Sequence, residues 1–466
     1  MSIDPAIFKA YDIRGVVPSQ LNEEIAYAIG RAFVVWLAGQ RDPAPTIVVA
    51  RDGRISGPSL FEAVKQGLAD QGASVIDVGV LASEQFYFAC AYVGAPGVTV
   101  TASHNPKEYN GMKFVKKIPF FLSGDQGIQE LRTLVEQSQW PEVSKKGTVR
   151  TEDIRSLYVE KLFSIIPTSD LRPPTSRPQP PTVVIDTANG VAGPIITDIA
   201  SALPVTVRHL FADVDGAFPN HPADPLRPEN RIAAQQAIHN HKAQAGFLFD
   251  GDGDRCFVLD ENGELVPNEF LGTLFAQDLL SAHPGATFIY DVRSSWAFPR
   301  VVEAAGGKPF MNRVGHAYIK PRMMEEGAVY GMEVSGHHYF KDFFWCDSGV
   351  LPMLYTLKIM SKTGKSLSEL VAPLRQQYHL SGELNYAVHD APGILKRLKE
   401  KLADAPKKYE LDGVSFEYPD WHCNVRSSNT EPLLRLNLES MVSKEHMEER
   451  KKEMESIILE PITSSL

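Results

Sequence analysis

Thr182-Val183-Val184-Ile185-Asp186 is a short β-branched run that follows Pro181 and leads into a polar loop. The chain carries it twice more in altered form: Thr46-Ile47-Val48-Val49-Ala50 after Pro45, and Thr287-Phe288-Ile289-Tyr290-Asp291 after Ala286. Runs this short and this apolar read as strands buried on both faces, as in a parallel sheet. Helical sequence follows. Pro58 to Gln71 sets Leu60, Val64, Leu68 and Ala69 on one face, with Gly72 as a stop. Ser74-Val-Ile-Asp-Val78 then returns as a strand. This rhythm predicts α/β units, and the spacing of the three runs predicts three related α/β domains.

Outward from these runs the pattern changes twice. Residues 167–181 hold Pro167, Pro173, Pro174, Pro178, Pro180 and Pro181, which can continue neither a helix nor a central strand. Past about 372–385 the strands alternate: Val414 to Tyr418, Trp421 to Val425, Leu433 to Leu438. A charged amphipathic helix from Lys444 to Leu459 closes the chain, so the last segment reads as a small α+β domain. The expected partition is 1–150, 151–257, 258–372 and 373–466. Length agrees, because 466 residues at about 150 per domain make three domains, or four small ones.

Composition excludes several classes. Apolar residues are 43% and charged residues 22%, the balance of a folded chain rather than a disordered one. Asp and Glu number 57 against 47 Lys and Arg, a net charge of −10. Nucleic acid and anionic membranes demand a cationic footprint, so neither is an expected partner. The cysteines, Cys90, Cys256, Cys346 and Cys423, form no C-x-x-C pair, which fits a reducing cytosol rather than a zinc or disulfide scaffold. Met1 to Pro5 is not a basic stretch before an apolar core, so no secretory leader is expected, and a cytoplasmic location is.

Four motifs carry chemistry. Thr101-Ala-Ser-His-Asn-Pro-Lys-Glu-Tyr-Asn-Gly-Met-Lys113 follows an apolar strand, and its Asn-Pro and Asn-Gly steps demand turns. Ser103 therefore sits at a strand end, where open α/β sheets place ligands; it is a nucleophile or phosphate carrier, or else a turn serine. Asp250-Gly-Asp252-Gly-Asp254-Arg255 can converge three carboxylates on one hard cation. The spacing approaches a calcium loop, down to Glu261 at the twelfth position, but Arg255 replaces the glycine required at the sixth. Mg²⁺ suits a few carboxylates plus a phosphate oxygen better, and a plain acidic turn competes with both. Glu333 and Ser335 in Gly331-Met-Glu-Val-Ser-Gly-His337-His338 alternate toward one side and suit hydrogen bonds to sugar hydroxyls, whereas the adjacent histidines would diverge on a strand. Arg426-Ser-Ser428-Asn429-Thr430-Glu-Pro-Leu-Leu-Arg435 offers guanidinium, hydroxyls and turn amides to an anion, or is a polar hairpin turn.

Together with Tyr11-Asp-Ile-Arg14-Gly15, Phe218-Pro-Asn-His221 and Pro228-Glu-Asn230, these motifs in this order resemble the α-D-phosphohexomutase superfamily, in its bacterial phosphomannomutase/phosphoglucomutase branch. The resemblance covers nearly the whole chain. It implies three related α/β domains and a TATA-binding-protein-like C-terminal domain around a central cleft. It implies that hexose 6-phosphate and hexose 1-phosphate, of mannose or glucose, are interconverted through a phosphoserine and a hexose 1,6-bisphosphate. By resemblance Ser103 carries the phosphoryl group, and Asp250, Asp252 and Asp254, with a phosphoserine oxygen, hold Mg²⁺. Arg14, Lys113 and Arg255 are cleft cations near that phosphate, and Lys113 or His316 handles protons. Glu333, Ser335 and His337 bind the sugar. Arg426, Ser428, Asn429 and Thr430 bind the phosphate not being transferred, and Arg435 is a further substrate-binding residue. Tyr11, Arg293, Gly315 and Lys320 complete the substrate contacts. The expected partners are small phosphosugars, with the chain a monomer or weak dimer. Met332 and Arg293 depart from the family's commoner Gly and Lys. Ser428-Asn429-Thr430 favours the mannose/glucose branch over phosphoglucosamine mutase. A non-catalytic phosphosugar-binding protein and a phosphatase compete with the mutase reading.

Overall fold

The structure, a computed structural model, describes residues 3–40, 46–124, 126–172, 180–427 and 433–460. Each repeated run lies inside its own sheet with a parallel neighbour on both sides. Thr46–Arg51 sits between Ser74–Val80 and Gly97–Val100. Thr182–Asp186 sits between Thr206–Leu210 and Ala245–Phe249. Thr287–Asp291 sits between Lys308–Asn312 and Tyr330–Met332. In every sheet the last-named neighbour is turned back by an antiparallel partner: Tyr109–Lys117, Cys256–Leu259 and His338–Phe340 respectively. The repeat therefore extends beyond the strands. Three equivalent hairpins point three equivalent loops, 101–108, 250–255 and 333–337, out of their sheets.

Helices cover both faces, which is why Val48, Val49, Val184, Ile185, Phe288 and Ile289 are all fully buried and why these strands do not alternate in polarity. Helix Glu23–Gly39 opens at Asn22, whose side chain accepts from the Ile25 amide. It crosses helix Gly57–Asp70 so closely that a Cβ on Gly67 would lie 2.1 Å from the Tyr27 carbonyl oxygen. The C-terminal sheet is wholly antiparallel, in the order His379–Ala387, Leu433–Ser440, Trp421–Ser427, Val414–Glu417, Lys407–Tyr409. With helices Ala391–Lys401 and Lys444–Ile458 it encloses its own core of Leu398, Trp421, Leu434, Leu436 and Met454. The chain is thus three α/β/α domains followed by an α+β domain.

Each expected break falls inside a secondary-structure element. The cut at 150/151 falls inside strand Val149–Thr151, which pairs with Ser74–Val80. The cut at 257/258 falls inside Cys256–Leu259, and the second sheet continues to Leu265–Val266. The cut at 372/373 falls inside helix Leu367–Gln377. In the second case the antiparallel return strand belongs to the hairpin that carries the acidic loop, a partnership no local sequence signal marks. Of the proline-rich segment, 173–179 lies outside the described residues. All four cysteines are buried and free. Among the described residues no helix is long and apolar enough to cross a membrane.

Candidate active site

The first two hairpin loops meet. Ser103 has φ +49°, a left-handed conformation that costs a non-glycine residue about 1–3 kcal/mol, and its amide donates to Thr101 Oγ1 at 2.9 Å. This conformation aims the hydroxyl across the domain boundary. Ser103 Oγ donates to Asp250 Oδ2 at 2.9 Å and lies 3.2 Å from His104 Nδ1, and Arg255 Nη2 approaches it at 3.4 Å. The approach requires glycine on the facing loop: a Cβ on Gly251 would lie 2.6 Å from the Ser103 carbonyl oxygen.

Asp250, Asp252 and Asp254 are no more than 1% exposed, and a carboxylate oxygen from each lies within 4.8 Å of the other two. Lys113 Nζ bridges Asp252 and Asp254 at 2.7 and 2.8 Å, and Ser83 Oγ donates to Asp252 at 2.6 Å. One oxygen on each of Asp252 and Asp254, Oδ1, has no hydrogen-bond partner among the described residues. Three convergent hard donors with unpartnered buried oxygens fit a divalent cation such as Mg²⁺. Burial pushes the Asp250 carboxyl up to about 6 against the opposing charge of Arg255. Burial acts on Asp252 in the same sense, but Lys113 outweighs it and holds that carboxyl below the usual range. Arg14 hydrogen-bonds Asp12 and the Asn105 side chain, so it braces the serine loop from its outer side.

The third loop closes over the same place. His337 Nδ1 contacts Asp347 Oδ2 at 2.8 Å and lies 3.8 Å from Asp254 Oδ1, while His338 turns the other way into the core to meet the Tyr330 hydroxyl. The two histidines diverge, as strand alternation requires. Glu333 accepts from the Tyr339 hydroxyl, accepts from the Gly315 amide at 3.1 Å, and lies 3.7 Å from Arg293. Gly315, at φ +122°, lies so close to Tyr11 that a Cβ would be 2.8 Å from its ring. His316 begins the next helix, half-buried against Tyr11, Phe121 and His337; desolvation lowers its pKa, which favours the neutral ring.

A cleft of about 400 Å³ runs from Arg255 and His104 past Tyr11, Gly315, His316, Glu333, Ser335 and His337 to Arg293, Glu383, Arg426 and Arg435. Its far end is strongly cationic. Arg435 Nη1 donates to Glu383 Oε1 at 2.6 Å, and Arg293 Nη1 donates to Glu383 Oε2 at 3.0 Å. Ser428, Asn429 and Thr430 lie outside the described residues.

Lys320 does not line this cleft: it is fully buried, its ammonium 2.7 Å from Asp347 and 3.5 Å from the centre of the Phe121 ring. It neutralises the carboxylate that orients His337. Sequence reasoning missed three further residues. Arg54, 1% exposed, donates to the carbonyl oxygens of Ser103, Asn105, Pro106 and Tyr109 and grips the whole serine loop. Asp347 joins Lys320 to His337, and Glu383 collects the arginines. Only Arg54 left a sequence signal. Asp52-Gly-Arg54 follows the first repeated strand as Asp291-Val-Arg293 follows the third, and both aspartates cap the arginine's amide and hold its guanidinium.

Comparison with known proteins agrees with this geometry. Residues 5–142, 156–263 and 267–378 match phosphoglucomutase/phosphomannomutase alpha/beta/alpha domains I, II and III, and residues 383–457 match the phosphoglucomutase/phosphomannomutase C-terminal domain. A phosphomannomutase of Vibrio cholerae is 40% identical over 97% of this chain and 98% of its own. A Xanthomonas campestris protein described as phosphohexose mutases is 40% identical, with the same coverage. A crystal structure of a phosphoglucomutase/phosphomannomutase family protein from Burkholderia thailandensis, 35% identical, superposes with a TM-score of 0.86 over 98% of both chains. With four domains matched in order and identity of this extent along the whole chain, this protein belongs to the phosphoglucomutase/phosphomannomutase family.

Proposed function

We propose that this chain is a phosphohexomutase in which Ser103 carries the phosphoryl group between positions 1 and 6 of mannose or glucose phosphate, through a hexose 1,6-bisphosphate. The observation that carries this reading is the two-ended cleft. At one end a serine hydroxyl is held between an aspartate cluster and Arg255. At the other, Arg293, Arg426 and Arg435 gather, separated from the serine by sugar-facing Glu333 and Ser335.

Phosphoryl transfer asks a protein mainly for alignment and charge stabilisation. Phosphorylated Ser103 would donate to the sugar's free hydroxyl; the bisphosphate would then turn and return its other phosphate to the serine. Asp250, Asp252 and Asp254 would hold Mg²⁺, which when bound supplies Lewis-acid stabilisation of phosphoryl oxygens. Arg255 offers its guanidinium to the same group. Glu333, fixed by Tyr339 and the Gly315 amide, orients the sugar hydroxyls. Neutral His316 stands near the reacting end as a proton acceptor, while His337, whose pKa Asp254 and Asp347 raise against the effect of burial, favours its charged form beside it. Arg426 and Arg435 anchor whichever phosphate is not reacting. The cleft walls limit water, which would otherwise hydrolyse the phosphoserine, at the buried serine.

The test is a coupled assay on mannose 1-phosphate, glucose 1-phosphate and glucosamine 1-phosphate, with catalytic sugar bisphosphate and Mg²⁺. Formation of mannose or glucose 6-phosphate is expected. Release of inorganic phosphate without isomerisation would identify a phosphatase instead. Turnover of glucosamine 1-phosphate alone would reject the mannose/glucose assignment.

A further inference from the structure

We propose that Glu383 competes with the substrate's phosphate for Arg293, Arg426 and Arg435. The proposal rests on the mutase reading and assigns a role to a residue outside the expected site.

Glu383 stands where the chain has just entered the C-terminal sheet. The strand His379–Ala387 slips register against Leu433–Ser440 between Leu380 and Glu383, and Gly382 sits at φ +68°. A bulge re-aims the side chain that follows it. Here it turns a carboxylate out of the sheet and into the cleft, where it meets cations of two domains. Oε2 accepts from Nη1 of Arg293, which stands in the third domain. Oε1 accepts from Nη1 of Arg435, which stands on the adjacent strand of its own sheet.

The charge balance makes this arrangement replaceable. Arg293 already spends Nε and Nη2 on Asp291, so Nη1 is the edge it turns toward Glu383. Arg426, 5% exposed, comes no nearer to Glu383 than 3.9 Å, and its Nε has no hydrogen-bond partner among the described residues. Glu383 is thus shared among three guanidiniums and makes a single hydrogen bond to each of two. A carboxylate presents two oxygens to such a cluster, whereas a phosphate presents three and twice the charge. Two anions cannot occupy one cluster without strong repulsion. A phosphate seated on Arg426 and Arg435 therefore drives Glu383 off them. The bond lost with it, Arg293 to Glu383, is one that ties the last domain to the third.

The experiment is calorimetric titration of the full chain with inorganic phosphate, reading the binding component that Arg426→Ala removes. Glu383→Gln keeps the side chain's size and loses its charge. It should bind phosphate roughly tenfold tighter than wild type, as expected when a competing charge a few ångströms away is removed. Glu383→Ala should tighten it as well, and Glu383→Asp should not. A purely structural Glu383 would instead lower the melting temperature and leave phosphate binding unchanged or weaker, and either of those affinities overturns the proposal. No turnover is required, so failure here is distinct from failure of the mutase reading, which the coupled assay decides.

Discussion

Replacing Arg54 by lysine should loosen the serine loop without changing the chemical identity of any residue lining the cleft. Arg54 Nη1 donates to the carbonyls of Pro106 and Tyr109 at 2.8 and 2.9 Å, and Nη2 donates to those of Ser103 and Asn105 at 2.7 Å each. Nε reaches Asp52, itself buried. A guanidinium serves these groups because its donors fan out in one plane; an ammonium keeps the charge but gathers its donors at a point. At least two of the four carbonyls would lose their donor, at about 1–3 kcal/mol for a buried acceptor such as that of Ser103 and less for the part-buried others, and the Asp52 pair would weaken. The expected local cost is therefore about 3–5 kcal/mol, enough to speed amide exchange across 102–109 by more than a hundredfold. Exchange is the right assay, because a four-domain chain need not unfold in one step. Mispositioning a reacting group by about 1 Å costs roughly a hundredfold in rate, so kcat should fall by about that factor with KM little changed. Exchange within a few-fold of wild type, together with undiminished kcat, would refute the clamp.

Other expectations follow from single sites. Asp252→Asn should lose turnover that no excess of Mg²⁺ restores, whereas chelator-treated wild type should recover on adding Mg²⁺; wild-type activity in chelator would count against the metal assignment. Glu84 is buried between Ser348 and the Val350 amide, near Tyr158 and Asp254, and burial pushes its carboxyl up to about 8. The unfolded chain loses that proton near 4.5, so between these values the folded chain binds more protons and stability falls as pH rises, by about 1.4 kcal/mol per pH unit at most. Glu84→Gln should remove this slope, matching wild type near pH 4.5 and exceeding it near pH 8.5 in thermal unfolding; parallel pH profiles would reject the assignment. Gly251→Ala should separate the two loops, because its Cβ meets the Ser103 carbonyl, and should cost activity more than stability; unchanged turnover would show that the loops can yield.

Much of this site was legible because its chemistry is written locally. The strands at Thr46, Thr182 and Thr287 are apolar along their whole length, so they announced buried parallel strands without any partner in view. Ser103 and the Asp250 loop are bounded by glycine and proline steps that require turns. What stayed hidden depends on pairing at a distance. The grip of Arg54 exists only once the serine loop has folded onto its guanidinium. Lys320 looked like a substrate ligand, yet its helix turns it inward to Asp347, and nothing near position 320 records that carboxylate. Glu383 acquires its role from a bulge, which alternation alone does not reveal. The expected break at 257/258 cuts the strand Cys256–Leu259 for the same reason: a return strand belongs to the sheet it pairs with, and pairing is not local.

The central claim is that Ser103 is the covalent carrier of a phosphoryl group shuttled between the two ends of one sugar. Its most direct measurement uses glucose 1,6-bisphosphate labelled with ³²P at both positions, incubated with the protein and Mg²⁺ and followed by peptide mapping, then a chase with unlabelled mannose 1-phosphate or glucose 1-phosphate. The account predicts label on the peptide containing Ser103, its disappearance into sugar phosphate on the chase, and none in Ser103→Ala, which keeps the wild-type fold. Label on another residue, no transfer of protein-bound label to sugar, or wild-type mutase turnover by Ser103→Ala would contradict it.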